Sequence, residues 1–137
     1  MNRRIAALWR EHLSEIRVQG VPVRVLDIGS GPAVVCSSGV ASVLWDWAPV
    51  VELLRGDHRV IVLDRPGCAP GQTVPETLPD LDAEAARLLA VLDVLHVTGP
   101  VTAVGHSFGA AVVEAAARLH PGRLASLVLL DGSVPEA

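Results

Sequence analysis

Residues 101–113 read Val-Thr-Ala-Val-Gly-His-Ser-Phe-Gly-Ala-Ala-Val-Val, and this stretch decides the fold. An apolar run, Val101 to Val104, passes through Gly105-His106-Ser107-Phe108-Gly109 into small residues suited to a closely packed helix. Strand, tight turn and helix in immediate succession place Ser107 at the tip of the turn. Its backbone is then strained and its hydroxyl stands clear of the sheet. A Cβ at Gly105 or Gly109 would collide with the opposite element, and Ala110 and Ala111 keep the first helical turn slim. Ser107 also lies beside a helix N-terminus, whose free N–H groups favour developing negative charge.

Working outward, the rest of the chain alternates strands and helices. Ile5, Leu8, Trp9 and Leu13 fall on one side of a short helix within residues 3–13. Ile16 and Val18, then Val23 and Val25, alternate with polar residues across Gly20-Val21-Pro22, which predicts an antiparallel pair. Ala33 to Cys36 is wholly apolar and so reads as a strand buried on both faces. Trp47, Val50, Val51 and Leu54 recur at helical spacing, and residues 58–63 form the next buried strand, ending in Asp64 and a Pro/Gly-rich loop. Asp80, Asp82 and Glu84 crowd the start of a helix whose buried stripe is Leu81, Ala85, Leu88, Leu92 and Leu95. The helix after Ser107 runs to about Leu119, where His120-Pro121-Gly122 stops it, and Leu127–Leu130 is the last strand. The expected fold is α/β, with six strands: an antiparallel lead-in pair at one edge, then four parallel strands joined by right-handed helical crossovers. Residues 1–13 are the lead-in, and 14–137 form one domain.

Composition narrows the function classes. The 137 residues are 50% hydrophobic with a net charge of −4 and no basic run, which excludes nucleic acid as a partner. The N-terminus begins like a signal peptide but meets Arg10 and Glu11 before an apolar stretch forms. The uncharged run Pro32–Trp45 is too short to span a membrane. Two cysteines, Cys36 and Cys68, do not make a disulfide scaffold, and a cytoplasmic protein with free thiols is expected. The five histidines, at 12, 58, 96, 106 and 120, lack metal-ligand spacing, so neither metal nor cofactor is expected. Adjacent strand residues point to opposite faces, so His106 is expected beneath the turn as a packing and hydrogen-bonding residue.

Residues 14–133 resemble the α/β-hydrolase superfamily, in its single-domain esterase, lipase, thioesterase and haloperoxidase-like group. The resemblance rests on Asp27-Ile28-Gly29-Ser30-Gly31-Pro32, on Gly105-His106-Ser107-Phe108-Gly109 and on Leu129-Leu130-Asp131. Asp64-Arg65-Pro66-Gly67 is similar to that family's Asp-x-Pro-Gly-His-Gly loop, with Cys68 and Ala69 in the last two places. Ser38-Gly39 stands where the family usually has His-Gly. The resemblance implies Ser107 as nucleophile, with the backbone N–H groups of Phe108 and Val40 as oxyanion hole. Cys36 and Cys68 end neighbouring strands and are expected as free thiols on the pocket floor, with Ser38 and Gly39, and Asp131 or Asp64 is expected as acid or loop organiser.

In that family a lid, the usual acid and the catalytic His come later in the chain, and only 30 residues follow Ser107. The chain is therefore expected to be the front portion of the fold, truncated after the sixth strand, inactive alone and prone to self-association. The expected activity of the complete protein is hydrolysis of a neutral, largely apolar carboxylic ester or thioester through acyl-Ser107. The alternatives are a non-catalytic binding protein or truncated remnant, and acyl transfer, lyase or haloperoxidase-type chemistry on the same fold.

Overall fold

A computed structural model of the chain describes residues 1–66 and 80–132. Among these residues lie helices α1 (Arg3–His12), α2 (Ala48–Leu54), α3 (Leu81–Val94) and α4 (Phe108–Leu119). The strands are β1 (Leu13–Val18), β2 (Val21–Ile28), β3 (Ala33–Ser37), β4 (Arg59–Leu63), β5 (Val101–His106) and β6 (Ser126–Leu130). A short 3-10 turn, Leu44–Trp47, leads into α2.

The strands form one sheet in the order β1-β2-β4-β3-β5-β6. β1 pairs antiparallel with β2, and β2 antiparallel with β4, while β4, β3, β5 and β6 run parallel. This is the expected lead-in pair followed by four parallel strands. The first hairpin is closed by two residues, Gln19 (φ 53°) and Gly20 (φ 77°), between the partners Val18 and Val21. Positive φ at both central positions gives a turn whose twist matches that of its strands.

Strand alternation sorts the core into two layers. Ala33 and Val35 of β3, with Ile61 and Leu63 of β4, face the layer of α3 and α4. Val34 and Cys36, with Val60 and Val62, face α1, the 3-10 turn and α2. Both faces of the central strands are thus covered, which is why those strands are apolar throughout. Asp80 caps α3, its carboxylate accepting from the N–H groups of Asp82 (2.9 Å) and Ala83 (3.2 Å). Trp9 fastens α1 to the second layer: it is fully buried, stacks on Trp45 at 5.1 Å and donates its indole N–H to Glu52 at 2.8 Å.

Among the described residues no helix is long and apolar enough to cross a membrane. The sheet is less complete on its far side. Among the described residues β6 pairs with β5 alone, and Val128, Leu129 and Leu130 are 43%, 43% and 41% exposed. An apolar edge strand with free N–H and C=O groups is a template for pairing. The 137-residue chain by itself is therefore expected to associate at tens of micromolar. Light scattering that returned a stable monomer would contradict this.

Candidate active site

Parallel strands bring the residues that follow them to one edge of the sheet. At the carboxyl edge lie Ser37–Gly39 after β3, Asp64 and Arg65 after β4, Ser107 after β5 and Asp131 after β6. Ser107 separates the last residue of β5 from the first of α4 and has φ 54° and ψ −119°. A non-glycine residue there carries roughly 1–3 kcal/mol of strain and persists only where its surroundings hold it. Two backbone bonds do so: the Ser107 N–H donates to the Leu130 carbonyl (3.0 Å), and its own carbonyl accepts from Ala110 (2.9 Å). Ser107 is exposed at the tip.

The glycines on either side allow contacts no other residue would. A Cβ on Gly105 would lie 2.4 Å from the Gly109 carbonyl oxygen and 2.6 Å from Ala110, so β5 and α4 meet as expected. A Cβ on Gly109 would instead lie 2.0 Å from the Ser37 carbonyl oxygen and 2.8 Å from that of Ser38. Gly109 thus fits α4 against the end of β3 rather than against β5, a contact between elements distant in sequence. Gly39 completes the cluster, since a Cβ there would sit 3.3 Å from the Ser107 Cβ.

The loop after β3 is held from several sides. Ser38 accepts a 2.7 Å hydrogen bond from the Trp47 indole at its hydroxyl, a buried contact to the 3-10 turn. Its carbonyl and that of Gly39 accept from the Arg65 guanidinium. The Gly39 carbonyl also takes the Ser42 N–H at 3.3 Å, closing a turn in which Ala41 has φ 60°. Val40 sits on that turn, 58% exposed. Phe108 is the first residue of α4, a position whose N–H has no partner within the helix. Phe108 thus follows Ser107 directly, and Gly39, the neighbour of Val40, approaches the Ser107 Cβ.

Asp64 bonds to the main chain of the 3-10 turn and pairs with Arg24. It is buried, with one carboxylate oxygen accepting from the Leu44 N–H (2.7 Å) and the other 3.1 Å from Arg24 Nε. Burial pushes its carboxyl above the usual range, and the Leu44 N–H, Arg24 and Arg65 only partly offset that. Asp46, at the surface of the same region, moves the other way, lowered by the Val43 N–H and the Ser42 hydroxyl. Asp131 lies at the edge, exposed, with φ 49°.

Two expectations change, and one residue was missed. Cys36, expected on the pocket floor, is packed wholly inside the second core layer, where burial pushes its thiol up to about 12. It is a packing residue, unsuited to thiolate chemistry. Cys68 lies outside the described residues. His106 does face away from α4, but it is exposed instead of packed, because the 3-10 turn and α2 stop short of it. Its ring borders an open cleft of about 400 Å³ with Asp46, Trp47, Val50 and Leu130. Arg65 was assigned no role beforehand. The signal available was an Arg between Asp64 and Pro66, but its partners are main-chain carbonyls, which carry no mark in a sequence.

Comparison with known proteins agrees with this geometry. The family described as alpha/beta hydrolase fold matches residues 32–137. The chain belongs to the α/β-hydrolase fold family. It is 32% identical over 112 residues to polyketide synthase ThaQ of Burkholderia thailandensis, covering 82% of this chain and 5% of that one. With lipase LipV of Mycobacterium tuberculosis it shares 48% identity over 54 residues, 39% of this chain and 20% of the lipase. Among solved structures, an AqdC variant in complex with its substrate, the Pseudomonas quinolone signal whose ring it cleaves, superposes with a TM-score of 0.80 at 26% identity. That match covers 91% of this chain and 47% of the other. The chain thus spans about half the length of that structure and less of the two curated relatives.

Two measurements check the site's construction. Gly109→Ala is expected to destabilise the fold by about 1–3 kcal/mol or more, since the methyl must displace main chain; an unchanged thermal melt would contradict the close contact. Asp64 should titrate above 3.8 in a carboxyl-carbon NMR titration. With the folded pKa raised, the folded state holds the proton longer, so the contribution of Asp64 to stability falls as pH rises from 3.8 through its raised value. A midpoint at or below 3.8 would refute the desolvation argument.

Proposed function

We propose that this chain carries the nucleophile and oxyanion donors of a serine hydrolase that cleaves carboxylic esters or thioesters through acyl-Ser107. The observation that carries the reading is Ser107 itself, exposed at a strained strand-to-helix tip with φ 54° and ψ −119°. Such a backbone supports a nucleophile elbow, in which strain keeps the hydroxyl clear of the sheet and next to a helix N-terminus. The similarity to a lipase supports ester substrates. Trp47, Val50 and Leu130 border the cleft beside His106, and this supports a neutral, apolar acyl group.

In the proposed chemistry, Ser107 Oγ attacks the substrate carbonyl carbon while its proton passes to a histidine base. The carbonyl π pair moves onto oxygen, and the N–H groups of Phe108 and Val40 receive the negative charge. Collapse expels the alcohol or thiol, which takes the proton from the histidine, and water then releases the acid by the reverse sequence. The histidine that pairs with a carboxylate here, His58 with Asp57 at 2.7 Å, precedes β4 and so lies at the opposite edge of the sheet from Ser107. That pair is therefore not the base and acid of the proposed step.

A second reading has an observation of its own. The AqdC variant cleaves a ring on a similar frame, which favours chemistry other than ester hydrolysis. A substrate panel on the full-length protein separates the two.

In the full-length protein, Ser107→Ala is expected to lower turnover of a p-nitrophenyl ester by about 10⁴-fold or more. Labelling by a fluorophosphonate should disappear with it, and the thermal melt should change little. The bare 137 residues should show only background turnover in the same assay. A Ser107→Ala protein that kept most of the wild-type rate would defeat the reading.

A further inference from the structure

Arg65 brings a guanidinium into a nearly closed position, 7% exposed, directly after β4. Burying such a charge costs several kcal/mol unless hydrogen bonds and opposite charge compensate. What Arg65 touches is therefore informative. Its Nη1 donates to the Ser38 carbonyl and its Nη2 to the Gly39 carbonyl. The guanidinium carbon lies 5.2 Å from the centroid of the Phe108 ring. Asp64, adjacent in sequence, is the nearby negative charge and is shared with Arg24.

A trans peptide unit is planar, so its N–H points opposite to its C=O. Gripping the carbonyls of Ser38 and Gly39 therefore sets the direction of the next two N–H groups, those of Gly39 and Val40, which point away from Arg65. This loop touches the nucleophile side, where a Cβ on Gly39 would be 3.3 Å from the Ser107 Cβ. On its other flank the same guanidinium rests against Phe108, whose N–H is the second oxyanion donor. One side chain thus contacts both halves of the site.

We propose that Arg65 is a positioning residue for the oxyanion hole, holding the Val40 N–H in its donor orientation and fixing it relative to Phe108. The proposal rests on Ser107 being the nucleophile. Two physical effects combine. The fork of N–H groups holds two successive peptides in one orientation, which a single ammonium cannot reproduce. Charge-assisted bonds to the carbonyls also polarise those peptides, making the trans N–H groups stronger donors when negative charge develops opposite them. Val40 is 58% exposed, and its peptide is held through the Gly39 carbonyl, which the Arg65 guanidinium and the Ser42 N–H share.

The test uses the full-length protein with p-nitrophenyl butyrate and the variants Arg65→Met and Arg65→Lys. Removing one oxyanion donor lowers kcat by roughly 10²–10³-fold, so Arg65→Met is expected to lose about 100-fold in kcat. KM should stay within about threefold, because the contact matters only once charge develops. The affinity for butylboronic acid, which mimics the tetrahedral intermediate, should fall in step with kcat, and Arg65→Lys should be intermediate. A role in packing alone predicts a lower melting temperature with kcat and boronate affinity unchanged, and that result overturns the proposal. Should Arg65→Met fail to fold, Arg65→Lys decides: wild-type kcat and boronate affinity overturn it, and reduced values at unchanged KM support it. Failure of the underlying reading looks different, since Ser107→Ala would then keep its turnover.

Discussion

Much of this structure depends on a contact that tolerates no side chain: the first turn of α4 pressed against the ends of β3 and β5. Gly109 meets the carbonyls of Ser37 and Ser38, and Gly105 meets the backbone of Gly109 and Ala110. Because these approaches are main chain to main chain, they cannot relax by rotamer changes. They bring the strand end that carries the Val40 loop to the helix end that begins with Phe108, leaving Ser107 between. The strained backbone of Ser107 follows from the same constraint, because the chain must reverse from strand to helix within one residue.

Around that contact the polar groups form a second layer of support. Arg24, Asp64 and Arg65 bring three charges to the ends of β2 and β4, and Asp64 and Arg65 are buried. A buried charge set of this kind is weak evidence for stability, because desolvation offsets most of the attraction. Here two of the three reach main-chain groups, and Arg24 reaches Asp64. Asp64 takes the Leu44 N–H and so anchors the 3-10 turn, while Arg65 takes two carbonyls of the loop after β3. Trp47 in that same 3-10 turn returns a hydrogen bond to Ser38. The ring of contacts closes: β4 holds the turn, the turn holds the loop, and the loop lies against Ser107.

The fold was legible because its signals are periodic. Wholly apolar strands, the stripe of Leu81, Ala85, Leu88 and Leu92, and the Gly-x-Ser-x-Gly turn each have one economical structural reading. Departures occurred where the partner is main chain or where coverage matters. Arg65 passed unnoticed because carbonyls leave no trace in a sequence. The role of Gly109 was read against its neighbour in sequence, when its true partner lies about seventy residues earlier, across a parallel pairing. Cys36 was placed by strand position alone. On a strand buried on both faces, side-chain direction selects between two cores instead of between core and pocket, and Cys36 fell into one of them. His106 was expected to be packed, and the cleft beside α2 leaves it open.

The last link concerns β6. Its final residue, Leu130, accepts the Ser107 N–H, so one of the two backbone bonds that hold the strained turn belongs to the sheet's exposed edge. A strand paired on one side only can shift or fray more readily than one paired on both. Any motion of β6 along its register would stretch that bond and free Ser107 to relax toward an ordinary φ. Whatever packs on the outer side of β6 therefore bears on the nucleophile without touching it. The Val40 loop, at the end of β3, is separated from β6 by β5 and is gripped by Arg65. Ser107 is thus the part of the candidate site tied most directly to the far edge of the sheet, and the Val40 loop the part tied least.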